Sequence, residues 1–137
     1  MKLEKLLDFS SADGFEDQNQ GRGTHQFFLI GELGLFVGMD PKTIRFYERE
    51  GLLAPQRQGK FRVYNAVDAK RLQVIKMLRN FGLPIAVIRE IITGCEKNMN
   101  QPNEFATNLL RKQLNVLALE RENLARSIED LSLLLAS

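Results

Sequence analysis

An apolar heptad pattern runs through the C-terminal third of the chain, and it limits the possible folds more than any other feature. Two sets of positions seven residues apart alternate at spacings of four and three, which is the seam of a coiled coil. One set is Leu110, Leu117, Leu124 and Leu131; the other is Leu114, Arg121, Ile128 and Leu135. We predict a helix from about Glu104 to Leu135, on the order of 45 Å long at about 1.5 Å per residue.

So narrow a stripe on so long a helix needs a second chain to cover it, most simply a twofold-related copy. Arg121 interrupts the seam, and two interpretations stay open: it sets register or oligomeric state, or it lies at an edge with its charge in solvent. The predicted dimerisation residues are Leu110, Leu114, Leu117, Leu124, Ile128, Leu131 and Leu135.

The stretch from Asp40 to Tyr64 has the pattern of a short capped helix followed by a basic hairpin. Asp40 is a good N-cap, and proline suits the first helical position that follows it. Gly51 ends this helix, and an apolar segment from Ile30 that Gly38 ends predicts another helix before it. Two short helices joined by a tight turn make a helix-turn-helix. Beyond them, Gln58-Gly59 marks a turn, and the alternation from Phe61 to Tyr64 predicts a β-wing.

Two more helices follow the wing, one from Asn65, as its cap, to about Phe81 and one from Pro84 to Gly94. The fold class is therefore mainly α, a winged helix-turn-helix head followed by a long C-terminal helix. Residues 1–24 are polar and predict a flexible tail, with a docked helical turn through the leucines at 3, 6 and 7 as the alternative. The expected domains are 1–24 tail, 25–95 head, 96–103 joint and 104–137 dimerisation helix.

Positive charge is concentrated in the predicted head. Residues 41–79 hold ten Lys or Arg and three Asp or Glu, so this segment carries 10 − 3 = +7. The whole chain carries +2, which leaves 2 − 7 = −5 for the rest. Such segregation points to a polyanionic partner for one face, and the shape of the segment favours double-stranded DNA.

Candidate DNA-contact residues lie on the second helix and the wing. Side chains on the first turns of a recognition helix reach base edges, where arginine pairs with guanine and threonine contacts a thymine methyl. Tyrosine, lysine and arginine of the helix end and wing would hold phosphates. The alternative is a solvated basic face, with the tyrosine rings packing the wing to the helix, although a packed tyrosine can still donate its hydroxyl to a phosphate. The candidates are Lys42, Thr43, Arg45, Tyr47, Arg49, Arg57, Lys60, Arg62 and Tyr64; Ile44, Phe46, Leu52 and Phe61 are assigned to the core.

The sequence contains few residues suited to catalysis or metal binding. With one cysteine, Cys95, and one histidine, His25, no multi-cysteine cluster forms within the chain, and no phosphate-cradling Gly loop is present. We expect no enzyme activity, catalytic residue, metal site or cofactor. Cys95 is interpreted as a small apolar residue, with pairing across a dimer or a metal shared with His25 as the alternative. No apolar run approaches the roughly 20 residues of a membrane helix, so we expect a cytoplasmic protein with no membrane partner.

The motifs, in order, resemble the mercury-resistance (MerR) family of transcription regulators. The match runs from Ile30-Gly31-Glu32-Leu33 through Thr43-Ile44-Arg45-Phe46-Tyr47-Glu48 and Gly51-Leu52-Leu53 to Phe61-Arg62-Val63-Tyr64, Asp68 to Ile75, and Gly82 with Ile88-Arg89-Glu90-Ile91. The resemblance implies an antiparallel dimeric coiled coil behind the winged head. It also implies a homodimer that binds a near-palindromic promoter operator, bends and untwists that DNA, and has RNA polymerase as a further partner there.

The chain departs from the family pattern at several points, and two rival functions stay open. Phe46 and Phe61 stand where tyrosines are usual, so two hydroxyls directed at phosphates are absent. The paired cysteines of metal-sensing members are absent too. One rival is a DNA-architectural protein, excisionase-like or partition-like, with the same winged head. The other is a coiled-coil adaptor whose basic face binds an acidic protein.

Overall fold

The computed structural model describes residues 6–9, 27–97 and 103–137 of the chain. Five helices and a two-stranded hairpin follow one another in these ranges. They are α1 (Ile30–Val37), α2 (Pro41–Arg49), β1 (Gln56–Gln58), β2 (Phe61–Val63), α3 (Ala66–Asn80), α4 (Ile85–Lys97) and α5 (Asn103–Ala136). The mainly helical fold class is confirmed, with a small wing and a long C-terminal helix.

The two predicted helix caps are present. The Oδ1 atom of Asp40 accepts a hydrogen bond of 2.8 Å from the backbone N–H of Lys42, and Pro41 opens α2. At α3, Asn65 and Asp68 exchange side-chain to backbone bonds of 2.9 and 3.0 Å. These bonds satisfy amide groups that a helix start leaves without partners, which is why local sequence was sufficient to place both ends.

The turn between α1 and α2 depends on two glycines. Gly38 takes the left-handed conformation at φ 68°, which suits a residue without a Cβ. Gly34 lies within α1, where a Cβ would come within 2.6 Å of the backbone oxygen of Met39. The close approach of α1 to the start of α2 therefore requires glycine at this position as well.

The core lies between α1, α2, α3 and α4. Leu33, Ile44, Leu72, Ile75 and Ile88 are fully buried in it. The predicted core positions Ile44 and Leu52 are confirmed. Phe46 and Phe61 were assigned to the core, and this was wrong: both side chains are exposed. In α2 the inward direction is taken by Tyr47, the neighbour of Phe46, because adjacent residues of a helix point about 100° apart.

The wing is joined to the start of the head by backbone pairing. β1 and β2 are antiparallel, with Gln56 opposite Val63 and Gln58 opposite Phe61. Beyond the hairpin, Tyr64 pairs with Phe28 through N–H to oxygen bonds of 2.9 and 2.7 Å. The segment before α1 thus lies along the wing and fixes its base against the head.

A short N-terminal segment docks on the head, in place of the flexible tail expected there. Leu7 is only 2% exposed within the core cluster. The ring of Phe9 lies 5.3 Å from the Arg71 guanidinium carbon, a cation–π distance, and Lys70 donates to the backbone oxygen of Asp8. The docked alternative is the correct one for residues 6–9; residues 1–5 and 10–26, His25 included, lie outside the described residues.

The end of α4 differs from the sequence prediction. Gly94 was expected to close this helix and residues 96–103 to form a joint, but α4 continues to Lys97. A Cβ on Gly94 would lie 3.3 Å from Cδ1 of Phe105, so glycine lets α4 approach α5 closely. The helix α4 therefore extends past its predicted end, and residues 98–102 lie outside the described residues.

Most of α5 extends away from the core with its apolar side chains exposed. Ala106 is buried in the core cluster, and Leu109 and Leu110 pack against it. Leu110 was predicted to serve the dimer seam, and in this chain it is partly covered by the head. The other predicted seam residues are exposed: Leu114, Leu117, Leu124, Ile128, Leu131 and Leu135. Within the described ranges, no helix combines the length and apolar character that a membrane span requires.

Candidate nucleic-acid interface

The helix α2 has one buried face and one cationic face. Ile44 and Tyr47, three residues apart, point into the core. The exposed positions follow the spacing i, i+3, i+4, i+7, which defines a single stripe on a helix. They are Lys42, Arg45, Phe46 and Arg49, and Thr43 is half-buried at the edge of the stripe.

The wing adds cationic side chains beside this stripe. Arg57 and Lys60 are exposed, Arg57 on β1 and Lys60 in the turn that follows it. Arg57 lies directly opposite Arg62 on β2. Like charges in this position destabilise a strand pair, and a polyanion bound nearby would offset the repulsion. In the part of the chain that the structure describes, Arg57 and Lys60 make no ion pair.

Among the described residues, an ion pair joins the wing to α2. The Nε atom of Arg62 donates to Oε2 of Glu48 at 2.7 Å, and both side chains are partly buried. This contact holds the hairpin next to α2, at the strand positions of Arg57 and Arg62. Arg62, predicted as a phosphate contact, is therefore already bound to an acid in the free protein.

A second ion pair holds the C-terminal end of α2 in position. Arg89 of α4 donates through Nε to the backbone oxygen of Glu50 at 2.8 Å and through a terminal nitrogen to the Glu50 carboxylate at 2.7 Å. These bonds satisfy a carbonyl at the end of the helix. The sequence pattern indicates no such role for Arg89 or for Glu48, because pairs 39 and 14 residues apart in sequence leave no periodic signal.

The rings of Tyr47 and Tyr64 both belong to the core. Tyr64 is fully buried, and its hydroxyl has no hydrogen-bond partner among the described residues. Burial raises the pKa of this hydroxyl, with a further increase from the negative charge of Glu48. The proposed phosphate contact from Tyr64 is thus contradicted by its burial. Tyr47 exposes only a small fraction of its surface, and a phosphate contact from its hydroxyl stays a prediction.

Seven of the nine predicted contact residues have side chains that are exposed or partly exposed on α2 and the wing, which the Glu48–Arg62 ion pair joins. No group of three or more His, Cys, Asp or Glu side chains within the described ranges is placed to hold a metal ion. The backbone of Cys95 belongs to α4, but its side chain lies outside the described residues. The arrangement is a cationic helix stripe beside a cationic hairpin, which suits a DNA groove and its flanking phosphates.

Comparison with known proteins connects this geometry to a family. Residues 28–95 match the family described as "MerR HTH family regulatory protein", and residues 69–134 match "MerR, DNA binding". A ZntR-homologue transcriptional regulator of Haemophilus influenzae is 32% identical over 98 residues, which cover 70% of this chain and 72% of that protein. The mercuric resistance operon regulatory protein of Bacillus cereus is 31% identical over 106 residues, covering 76% and 74%. The match to ZntR of Escherichia coli, 34% identical, covers 48% of each chain.

Solved structures share the fold. The MerR-family regulator HiNmlR, described as lacking the sensor domain and bound to promoter DNA, superposes with a TM-score of 0.61 at 22% identity over 76% of this chain and 80% of that one. A MerR-family regulator from Bacillus cereus gives a TM-score of 0.61 at 25% identity over 76% of each chain. With the cationic helix and wing in place, the family-model matches and the sequence relatives show that the chain belongs to the MerR family of DNA-binding transcription regulators.

Proposed function

We propose that the protein acts as a homodimer on a near-palindromic operator within a promoter. The observation that supports this most strongly is the presence of two separate exposed surfaces among the described residues. One is the cationic surface formed by α2 and the wing, and the other is the exposed leucine seam of α5. A twofold axis through paired α5 helices would present two heads to neighbouring turns of one duplex.

The DNA contacts divide into two groups by chemistry. Lys42, Thr43 and Arg45, on the first turns of α2, would reach base edges in the major groove. Arg49 at the end of α2, together with Arg57, Lys60 and Arg62 of the wing, would contact phosphates on either side. Phosphate contacts release counterions, so the affinity should fall steeply as salt rises.

The proposed dimer joins the α5 helices antiparallel, and the bound DNA is bent and untwisted so that RNA polymerase can use the promoter. This step rests on family membership. The roles assigned to the residues of the head are DNA binding and positioning, and the proposal includes no enzymatic step and no cofactor.

Selection of duplexes from a random pool tests the proposal. The wild-type protein should enrich a twofold-symmetric sequence and bind the full site far more tightly than one isolated half-site. Arg57→Ala should reduce the slope of log affinity against log salt by about one unit for each phosphate that the variant no longer neutralises. Equal affinity for the selected site and for random duplex, or for one half-site and the whole, contradicts the proposal.

Permanganate footprinting tests the effect on the promoter. With RNA polymerase present, the protein should increase the reactivity of thymines in the opened region. Bent DNA without promoter opening would instead support the architectural function.

A further inference from the structure

Phe46 is an exposed aromatic residue inside the cationic stripe of α2. It stands one turn after Lys42 and beside Arg45, with Arg49 three residues beyond it. Its side chain is 38% exposed. A single exposed apolar residue is common on a protein surface, but Phe46 lies between cationic side chains on the surface proposed to bind DNA, where an aromatic ring is placed to contact the ligand.

The ring of Phe46 is held in place by its neighbour. The centroids of Phe46 and Tyr47 are 5.5 Å apart, with the two rings inclined at 54°. Tyr47 is itself buried in the core, so it provides a fixed base for the exposed ring. A side chain that is already ordered loses little conformational entropy when it makes a contact.

We propose that Phe46 contacts an apolar group of the DNA, either a thymine methyl or a deoxyribose, and so contributes to recognition through shape and not through charge. This inference rests on the proposed DNA-binding function. Phenylalanine has no hydroxyl to donate to a phosphate, whereas apolar side chains commonly contact the thymine methyl in the major groove. The flanking Lys42, Arg45 and Arg49 would bring the ring to the groove.

Salt dependence separates this contact from a phosphate contact. On a duplex selected by the wild-type protein, Phe46→Ala should weaken binding about tenfold, as expected for apolar surface no longer buried. The slope of log affinity against log salt should stay at the wild-type value, because no counterion is released at this contact. Phe46→Leu should keep most of the affinity.

Leu35→Ala is the matched control, since Leu35 is an 89% exposed apolar residue on α1, outside the cationic stripe. Its affinity for the duplex should equal that of the wild type. Thermal unfolding of Phe46→Ala should show a folded head, because Phe46 does not belong to the buried core cluster.

Replacing each thymine of the duplex by deoxyuridine, which lacks the methyl, identifies the group contacted. If the contact is a methyl, one or more substitutions weaken wild-type binding and have no effect on Phe46→Ala. If it is a deoxyribose, Phe46→Ala is weaker although no thymine position is sensitive. Unchanged affinity in a folded Phe46→Ala, or weaker binding with a shallower salt slope, overturns the inference. Failure of the wild type to select any duplex would instead contradict the proposed function.

Discussion

Glu48 of α2 and Arg62 of the wing form an ion pair with 2.7 Å between Oε2 and Nε. The contact fixes the orientation of the hairpin relative to the helix that carries Lys42 and Arg45. It also places a negative charge near two cross-strand arginines that would otherwise repel each other. The geometry of the cationic surface therefore depends on an acidic residue.

The ion pair should make a measurable contribution to stability. The side chains of Arg62 and Glu48 are 33% and 21% exposed, so solvent screens the pair only in part. In a double-mutant cycle of Glu48→Ala and Arg62→Ala, we expect a coupling energy of about 0.5–1 kcal/mol from urea unfolding. The Glu122–Arg126 pair, 62% and 65% exposed, should show a smaller coupling. Coupling energies in the reverse order would contradict the assigned role.

Leu7 should contribute to the stability of the head although it lies before the family match. Its side chain is as buried as the central core residues, so Leu7→Ala should lower the free energy of unfolding by about 2–4 kcal/mol. Leu35→Ala, at an exposed position, should change it by less than about 0.5 kcal/mol. Urea unfolding followed by circular dichroism measures both. An unchanged midpoint for Leu7→Ala would mean that residues 6–9 do not dock on the head in solution.

Tyr64 should make stability fall at high pH. Burial raises the pKa of its hydroxyl above the value of about 10 in the unfolded chain, so the folded state holds this proton more tightly. Its contribution is therefore complete below pH 10 and is lost as pH rises through the folded pKa. The wild type minus Tyr64→Phe difference in unfolding free energy should be constant up to about pH 9 and should decrease above pH 10. Curves that stay parallel to pH 11 would contradict the burial of the hydroxyl.

The same variant tests the corrected role of Tyr64 in DNA binding. Since the hydroxyl lies inside the core, Tyr64→Phe should bind a selected duplex with wild-type affinity and the same salt slope. Its stability at neutral pH should be equal to that of the wild type or up to about 1 kcal/mol higher, because a buried hydroxyl without a partner is removed. Weaker DNA binding would restore the phosphate contact that the sequence suggested.

Features that depend on neighbouring residues could be predicted from the sequence. The caps at Asp40 and Asn65, the turn at Gly38 and the heptads of α5 all follow from local hydrogen bonding or from periodicity. The face on which an aromatic residue lies was harder to predict. Phe46 and Tyr47 are adjacent, only one of them can point inward, and hydrophobicity alone favoured the wrong one.

Features that depend on tertiary contacts could not be predicted in this way. Gly94 was expected to end α4, whereas its role is the close approach of Phe105 from α5. Leu7 showed an apolar pattern too short to predict docking. For the candidate site, charge and spacing identified the cationic stripe and the wing. The Glu48–Arg62 and Glu50–Arg89 pairs, which hold both in place, join residues distant in sequence.

Sedimentation equilibrium of matched α5 variants tests dimerisation through the leucine seam most directly. Leu124 belongs to the seam and is 64% exposed, and Leu119, 57% exposed, lies on the opposite side of the helix. We predict that the wild type and Leu119→Glu sediment as dimers, whereas Leu124→Glu is a folded monomer, because a buried, unpaired charge at the interface is costly. A stable wild-type monomer at micromolar concentration, or a Leu124→Glu protein that stays dimeric, would contradict this prediction.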